Sequence, residues 1–370
     1  MAAAQPWSSL HLDLLARIFL FLSCIGDRVR ACAVNKHWRL VALQNPSPLP
    51  CLVRPSVTRI DSYRIFGRFA DPNPSHSAEG RAGRFCGSAP GGWFVVACPP
   101  GGGHALLNLG TGELVALPDR VCIRLNSGDI RCPMMIRAAA MSAAPSSGAC
   151  VVAAITSTRT TMAFCRPGME CWTSLPAEMT IQPDAQDLTY HDGWFWVVDS
   201  DDDLFCYKVE LSTSRQTIEH LSYWIPAPRT DMEVEHGEIV FRYLLPSASG
   251  ADLLMVRRFI SPATSRTSRF QVFRLQKPQE GRRAAWRVYE MTRQLLFVGR
   301  ACSKAFDTGH AGNPGYVYFL DDVYRGGPHQ QNEYPCADAG GWRYSSPGEI
   351  QRCLPSAPPS DTSPCIWYHQ

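Results

Sequence analysis

Residues 187–211 read DLTYHDGWFWVVDSDDDLFCYKVEL, and the fold turns on them. The runs WFWVV and LFCYKV have strand length and strand composition, with an acidic tip between them. Asp192-Gly193, just before the first run, is a hairpin-grade turn because both residues tolerate positive φ. Within LFCYKV, Phe205, Tyr207 and Val209 share one face while Leu204, Cys206 and Lys208 share the other. WFWVV is apolar on both faces, as a strand buried between two layers is.

The same texture continues on both sides. WFVVAC, HALLNL, CVVAAI, TMAF, IVFRYLL, LLMVRRFI, FQVFRL, WRVYEM, LLFVG and YVYFL are further short runs bounded by Gly, Pro, Asp and Ser. Gly110-Thr111-Gly112 is a second turn of hairpin grade. No helical period intervenes, so residues 85–370 are read as all-β. Glycine followed by an apolar strand recurs at Gly92, Gly148, Gly193, Gly250 and Gly315, with spacings of 56, 45, 57 and 65 residues. A period near ~50 with several strands per period suits a β-propeller, whose blades stack face to face around an axis. Two sandwiches in series remain the physical alternative.

Before residue 50 the period changes. In LHLDLLARIFLFL, apolar Leu10, Leu14, Leu15, Ile18, Phe19 and Leu22 recur three and four apart, with Arg17 opposite. Gly26-Asp27 stops this helix and starts another over DRVRACAV, and Asn35 caps a third, KHWRLVALQ, ended by Asn45-Pro46. Three helices in so few residues bury little surface alone and are expected to dock on something. Residues 47–84 read as a Pro/Ser-rich linker and entry to the β domain. The expected fold class is therefore α+β multidomain: a small three-helix unit over 5–46, then an all-β propeller-like domain over 85–370.

Composition bounds the function. Among 370 residues, 36 are basic and 33 acidic, a formal net charge of +3 that demands neither nucleic acid nor a membrane as partner. The apolar run 18–22 is far short of the ~20 residues of a membrane helix. Asp13 precedes it and no small-residue cleavage site follows, so it does not read as a signal peptide. The 15 cysteines are odd in number and contain no C-x-x-C pair, so reduced, mostly buried thiols in cytoplasm or nucleus are expected.

The sequence spells no recognisable catalytic constellation. Gly101-Gly102-Gly103 lacks the Lys-Ser/Thr of a phosphate loop, and no G-x-S-x-G elbow exists. Asp199, Asp201, Asp202 and Asp203 lack the spacing of a calcium loop and read as a solvated hairpin tip. Asp321-Asp322 is expected to organise the turn after its strand. The ten histidines show no metal-ligand spacing, so no metal or cofactor is expected. Charge is unevenly distributed: residues 184–203 hold seven aspartates and no Lys or Arg, whereas 257–300 hold ten arginines and Lys277 against two glutamates. Arg257, Arg258, Arg282 and Arg283 are the candidate residues for binding an acidic segment of a target protein, exposed hairpins being the plainer reading. Nucleic acid is the weaker option, because the aromatic residues there read as core.

The N-terminal segment resembles an F-box: Leu10, Asp13-Leu14-Leu15, Ile18, Leu22, Asp27, Arg30, Val34 and Trp38-Arg39 stand in that motif's order. The motif's usual proline is His11 here, and its usual cysteine is Asn35. The remainder is similar to the plant F-box-associated propeller long catalogued as a domain of unknown function. That likeness rests on GGWFVVA…LLNLGTGELVALP, residues 187–211, DLLMVRRF, FQVFRL, LLFVGRACSKAF, GYVYFLDD and the closing SPCIWYHQ. The resemblance implies a non-catalytic adaptor, the substrate-recognition subunit of an SCF-type ubiquitin ligase. It makes Leu10, Leu14, Leu15, Ile18, Leu22, Val34 and Trp38 the surface for a SKP-type linker, and through it a cullin, with an unidentified target on the propeller. Ordinary core packing is the competing role for the helix-one stripe and for Trp38. The competing function is a propeller that binds a ligand or acts as an enzyme, carrying a degenerate F-box that recruits no ligase.

Overall fold

A computed structural model describes residues 7, 10–21, 31, 33–44, 50–55, 60–64, 83–97, 103–125, 128–157, 162–176, 184–211, 216–226, 228, 237–278, 283–291, 294–307, 315–322, 334, 336–344, 349–352, 360 and 363–369. Two short helices open the chain, α1 (Leu12–Phe21) and α2 (Lys36–Gln44). The Asn35 side chain accepts the Trp38 N–H at 2.9 Å, the N-cap its position suggested. Leu15, Phe19, Ala31, Trp38 and Val41 form a small core of their own. The expected middle helix over 27–34 lies largely outside the described residues, so a three-helix unit is not supported.

Among the described residues the elements that follow are strands, apart from a turn of 3-10 helix at Pro145–Ser147. Blade one is β3 (Arg84–Ala89), β4 (Trp93–Ala97), β5 (His104–Asn108) and β6 (Leu114–Leu117), in that order from the axis outward. Blade two comprises β7 (Arg120–Leu125), β8 (Gly128–Pro133), β9 (Ile136–Met141), β10 (Val152–Thr156), β11 (Met162–Cys165) and β12 (Trp172–Ser174). Its innermost strand is β9, and β7 joins the outer edge by pairing parallel to β12. Blade three is β13 (Asp187–His191), β14 (Trp194–Val198), β15 (Leu204–Leu211) and β16 (Gln216–Tyr223). Blade four is β17 (Ile239–Pro246), β18 (Leu253–Ser261), β19 (Arg266–Gln276) and β20 (Ala285–Val288). Blade five is β21 (Gln294–Val298), β22 (Lys304–Asp307), β23 (Tyr316–Phe319), β24 (Gly340–Arg343) and β25 (Ile350–Gln351), with β22 innermost. A three-stranded sheet closes the ring: β1 (Cys51–Pro55) pairs with β2 (Ile60–Arg64) and with β26 (Ile366–Tyr368), bringing the two ends of the β region together.

The fold is thus an all-β five-blade propeller with two short helices among the described residues, in place of the expected α+β multidomain class. Two sandwiches in series are excluded, because the inner strands abut in succession and apolar clusters fill each gap between blades. The stretch 47–84, read as linker and entry, supplies β1 and β2 to the closing sheet. WFWVV behaves as its two apolar faces required: Phe195 and Val197 pack toward blade two, Trp196 and Val198 toward blade four. Phe205 and Tyr207 join the first cluster, and Leu204 and Cys206 the second.

Each repeat glycine precedes a strand of a different blade. Gly92, Gly148, Gly193 and Gly250 all take positive φ to turn the chain, whereas a Cβ on Gly315 would lie 2.7 Å from that of Met291. The expectation of reduced thiols is corrected at one place: Cys122 and Cys171 are joined as a disulfide, with Cα atoms 6.0 Å apart. The other nine described cysteines are thiols outside any disulfide, and all but Cys132 are buried. Among the described residues, no helix is long and apolar enough to cross a membrane.

Candidate interaction surfaces

The helical pair is a thin body. Leu15 and Trp38, both expected on a partner surface, lie in its core, where Trp38 meets Phe19 edge-on at 6.2 Å and donates its indole N–H to the Trp7 carbonyl at 3.0 Å. Leu10 and Ile18 are half-buried, and Leu22 lies outside the described residues. Leu14 and Val34 remain outside, 52% and 53% exposed. Three further apolar side chains share that exposure: Trp7 at 67%, Leu12 at 50% and Leu40 at 59%. So many uncovered large apolar groups on one small unit are suited to an interaction surface. Sequence reading missed Trp7, Leu12 and Leu40, since each sits beside the helical stripe and not on it.

Two arginines of the basic stretch, Arg257 and Arg258, face inward, whereas Arg266, Arg274, Lys277 and Arg287 are exposed. Arg257 Nε donates to Asp202 at 3.1 Å, and Arg242 Nε reaches the same carboxylate at 2.7 Å. Arg258 has no exposed surface: it pairs with Asp338 at 2.8 Å and Asp322 at 3.2 Å, and it donates to Thr267 and Tyr243. Burial opposes its charge, yet Tyr243, Asp322 and Asp338 hold the guanidinium above its ordinary pKa. Burial likewise pushes Asp338 upward, and Arg258 and Thr267 more than reverse it, leaving that carboxyl below its usual range. Arg257 and Arg258 are therefore corrected from target-binding candidates to interior ion pairs. Arg283 is exposed, and Arg282 lies outside the described residues.

The acidic stretch answers the basic one. Asp202 and Asp203 are buried, so the tip is not solvated as expected; Asp202 pairs with blade-four arginines, and exposed Asp192 meets Lys277 at 3.3 Å. Asp199 accepts the Asp201 and Asp203 N–H groups at 2.9 and 3.0 Å, and Asp321 accepts those of Ala337 and Asp338. Asp321 thus reaches backbone 16 and 17 residues on, and Asp322 reaches Tyr243, Arg258 and Arg300, so both act at longer range than the local turn expected of them.

At the waist of the ring the inner strands nearly touch. A Cβ on Gly87 would fall 1.8 Å from the Ala139 carbonyl oxygen. Asp187, wholly buried, accepts the N–H groups of Ala301 at 2.6 Å and Leu244 at 2.8 Å, tying three blades together. Burial raises its pKa to about 7, although both donors favour the charged form. Above and below this waist lie two cavities.

One cavity, of about 370 Å³, is lined by the Ser88, Lys304 and His369 side of the inner strands. Ser88 Oγ and His369 Nδ1 there have no hydrogen-bond partner among the described residues. The other, of about 290 Å³, is lined by Arg84, Arg137, Arg300 and Asp322, with Phe85, Met135 and Ile366 as apolar wall. Arg84 is held in place by the Ile136 carbonyl and, at 3.4 Å, the Tyr334 hydroxyl. Burial, then Arg300 and Arg84, press the Arg137 pKa down, against Asp184.

The KIB1-4 beta-propeller family matches residues 59–341 of the chain. No curated protein matches it. A solved structure of PorZ, an essential bacterial surface component of the type-IX secretion system of Porphyromonas gingivalis, is similar at 10% identity and a TM-score of 0.30, over 75% of this chain and 35% of that one. So distant a likeness carries no argument. The β-propeller supports a part as a protein-interaction module. With well over half its length matched, the chain belongs to the KIB1-4 β-propeller family.

Proposed function

We propose that the chain is the substrate-recognition subunit of an SCF-type ubiquitin ligase: its helices dock on a SKP-type linker, and through it a cullin, while the propeller holds a target protein. The observation that carries this reading is the set of exposed apolar side chains, Trp7, Leu12, Leu14, Val34 and Leu40, on a helical unit whose own core numbers only a few residues. Such a surface is stabilised by covering it with a partner. The F-box resemblance of the same segment supplies the partner's identity, and membership of a propeller family supports the target-holding half. The chain itself contributes no bond-making step; it raises the effective concentration of a target lysine beside the charged conjugating enzyme. Cytoplasm and nucleus are the proposed places of action, which the nine described cysteines outside the one disulfide support.

The test is co-elution of purified full-length protein with the linker on a sizing column. Wild type and an Arg283→Glu control are expected to co-elute, and Leu12→Asp with Leu14→Asp is expected to separate. Separate elution of the wild type would overturn the proposal.

A further inference from the structure

We propose that the arginine-lined cavity at one mouth of the propeller binds a phosphomonoester. Its three guanidinium groups come from different parts of the ring: Arg84 from β3, Arg137 from β9 and Arg300 from the turn after β21. They converge without a direct ion pair, Asp184 acting on Arg137 and Asp187 on Arg300 only from beyond pairing distance. The cavity's one lining carboxylate, Asp322, is already engaged, since it accepts the Tyr243 hydroxyl at 2.8 Å, the Arg300 backbone N–H at 2.8 Å and Arg258 from behind. Among the described residues neither the Arg137 nor the Arg300 side chain has a carboxylate within ion-pairing distance. Arginines elsewhere in the propeller interior are paired with care, Arg257 with Asp202 and Arg258 with Asp322 and Asp338. A cluster of cations without direct ion pairs in a concave site focuses a positive field.

The chemistry of the ligand follows from the lining. Guanidinium forks match phosphate oxygens in pairs, and a dianion balances the two unpaired arginines where a lone carboxylate would not. Phe85, Met135 and Ile366 offer an apolar wall for the body that carries the phosphate. A cavity of about 290 Å³ limits that body to roughly an aromatic ring or its equivalent. The ester can come from a free small molecule or from a phosphorylated side chain of a protein. The proposal rests on the propeller alone and holds whether or not the helices recruit a ligase.

The experiment is calorimetric titration of the full-length protein at low salt with phenyl phosphate, a phosphotyrosine peptide flanked by glycine and serine, and benzoate. Saturable binding of phenyl phosphate is expected, weakening as salt is added, with benzoate at least about tenfold weaker. Peptide binding at least about tenfold tighter than phenyl phosphate assigns the site to phosphoproteins; equal or weaker peptide binding assigns it to small esters. Arg137→Met and Arg300→Met are each expected to lower affinity by about tenfold or more, the order of a charge-assisted hydrogen bond. Their ligand-free melting temperatures are expected to match or exceed the wild type, because a mutual repulsion has been removed. Absence of saturable phosphate binding, benzoate binding as tightly, or unchanged affinity in both variants would overturn the proposal.

Discussion

At Arg258 a guanidinium with no exposed surface meets Asp338, Asp322, Tyr243 and Thr267. Replacing it with methionine strands two buried carboxylates, and we expect Arg258→Met to cost about 3–5 kcal/mol in urea unfolding. A change below about 1 kcal/mol would show that the network carries no net stability. His369 offers a pH counterpart. It is buried and bonds the Cys302 carbonyl at 2.8 Å, and burial lowers its pKa to about 4. The unfolded chain takes up that proton near 6.5, so stability is full above about 6.5 and falls as pH drops toward about 4. His369→Gln is expected to remove about 3 kcal/mol of that acid loss, read from melting curves between pH 7 and 4. The roles of single charges were poorly legible in the sequence. RR within LLMVRRFI reads as surface, because its partners Asp202, Asp322 and Asp338 stand 55, 64 and 80 residues away. Asp321-Asp322 was legible only as a pair that bonds backbone, since the N–H groups Asp321 holds stand 16 and 17 residues on.

Among elements, the second and third strands of each blade were plain, whereas of the innermost ones β17 was plain, as IVFRYLL, and β3 and β9 were not. WFVVA, VAAIT, WFWVV, LLMVRRFIS and YVYF carry the apolar excess of strands packed on both faces. The inner strands β3 and β9 read RFCGSA and IRAAAM, which have weak strand propensity. Their small residues are a demand of the axis, where Gly87 leaves no room for a Cβ. Gly87→Ala is therefore expected to destabilise more than Gly193→Ala. The latter meets only open space and costs its left-handed backbone alone, about 1–2 kcal/mol. Equal midpoints for the two variants in denaturant would contradict this account of the waist. The helices split differently: Asn35 as cap was legible, while the stripe reading mixed core Leu15 with exposed Leu14 because both fit a helical period.

Across the whole molecule, the ring closes by pairing the first β strand with the last, Leu52 opposite Trp367. Trp367 is fully buried, packs edge-on against Phe297 at 5.3 Å and donates to the Val298 carbonyl at 3.0 Å. Trp367→Ala is expected to cost about 3–5 kcal/mol and to lower the single melting transition. The five repeat glycines had already spaced out the blades, but nothing local in residues 51–55 announces a partner more than 300 positions away. Joined to this ring, the helices make sense as a docking unit for something larger. The most direct measurement of that central claim is the affinity of the full-length chain for a SKP-type linker by titration calorimetry. Beside it goes the Leu12→Asp, Leu14→Asp variant, shown by circular dichroism to keep the wild-type fold. Saturable wild-type binding that weakens by about a hundredfold or more in the variant is the expected result, since charge is then buried unpaired in an apolar interface. No binding by the folded wild type, or equal binding by the variant, would contradict the docking of these helices.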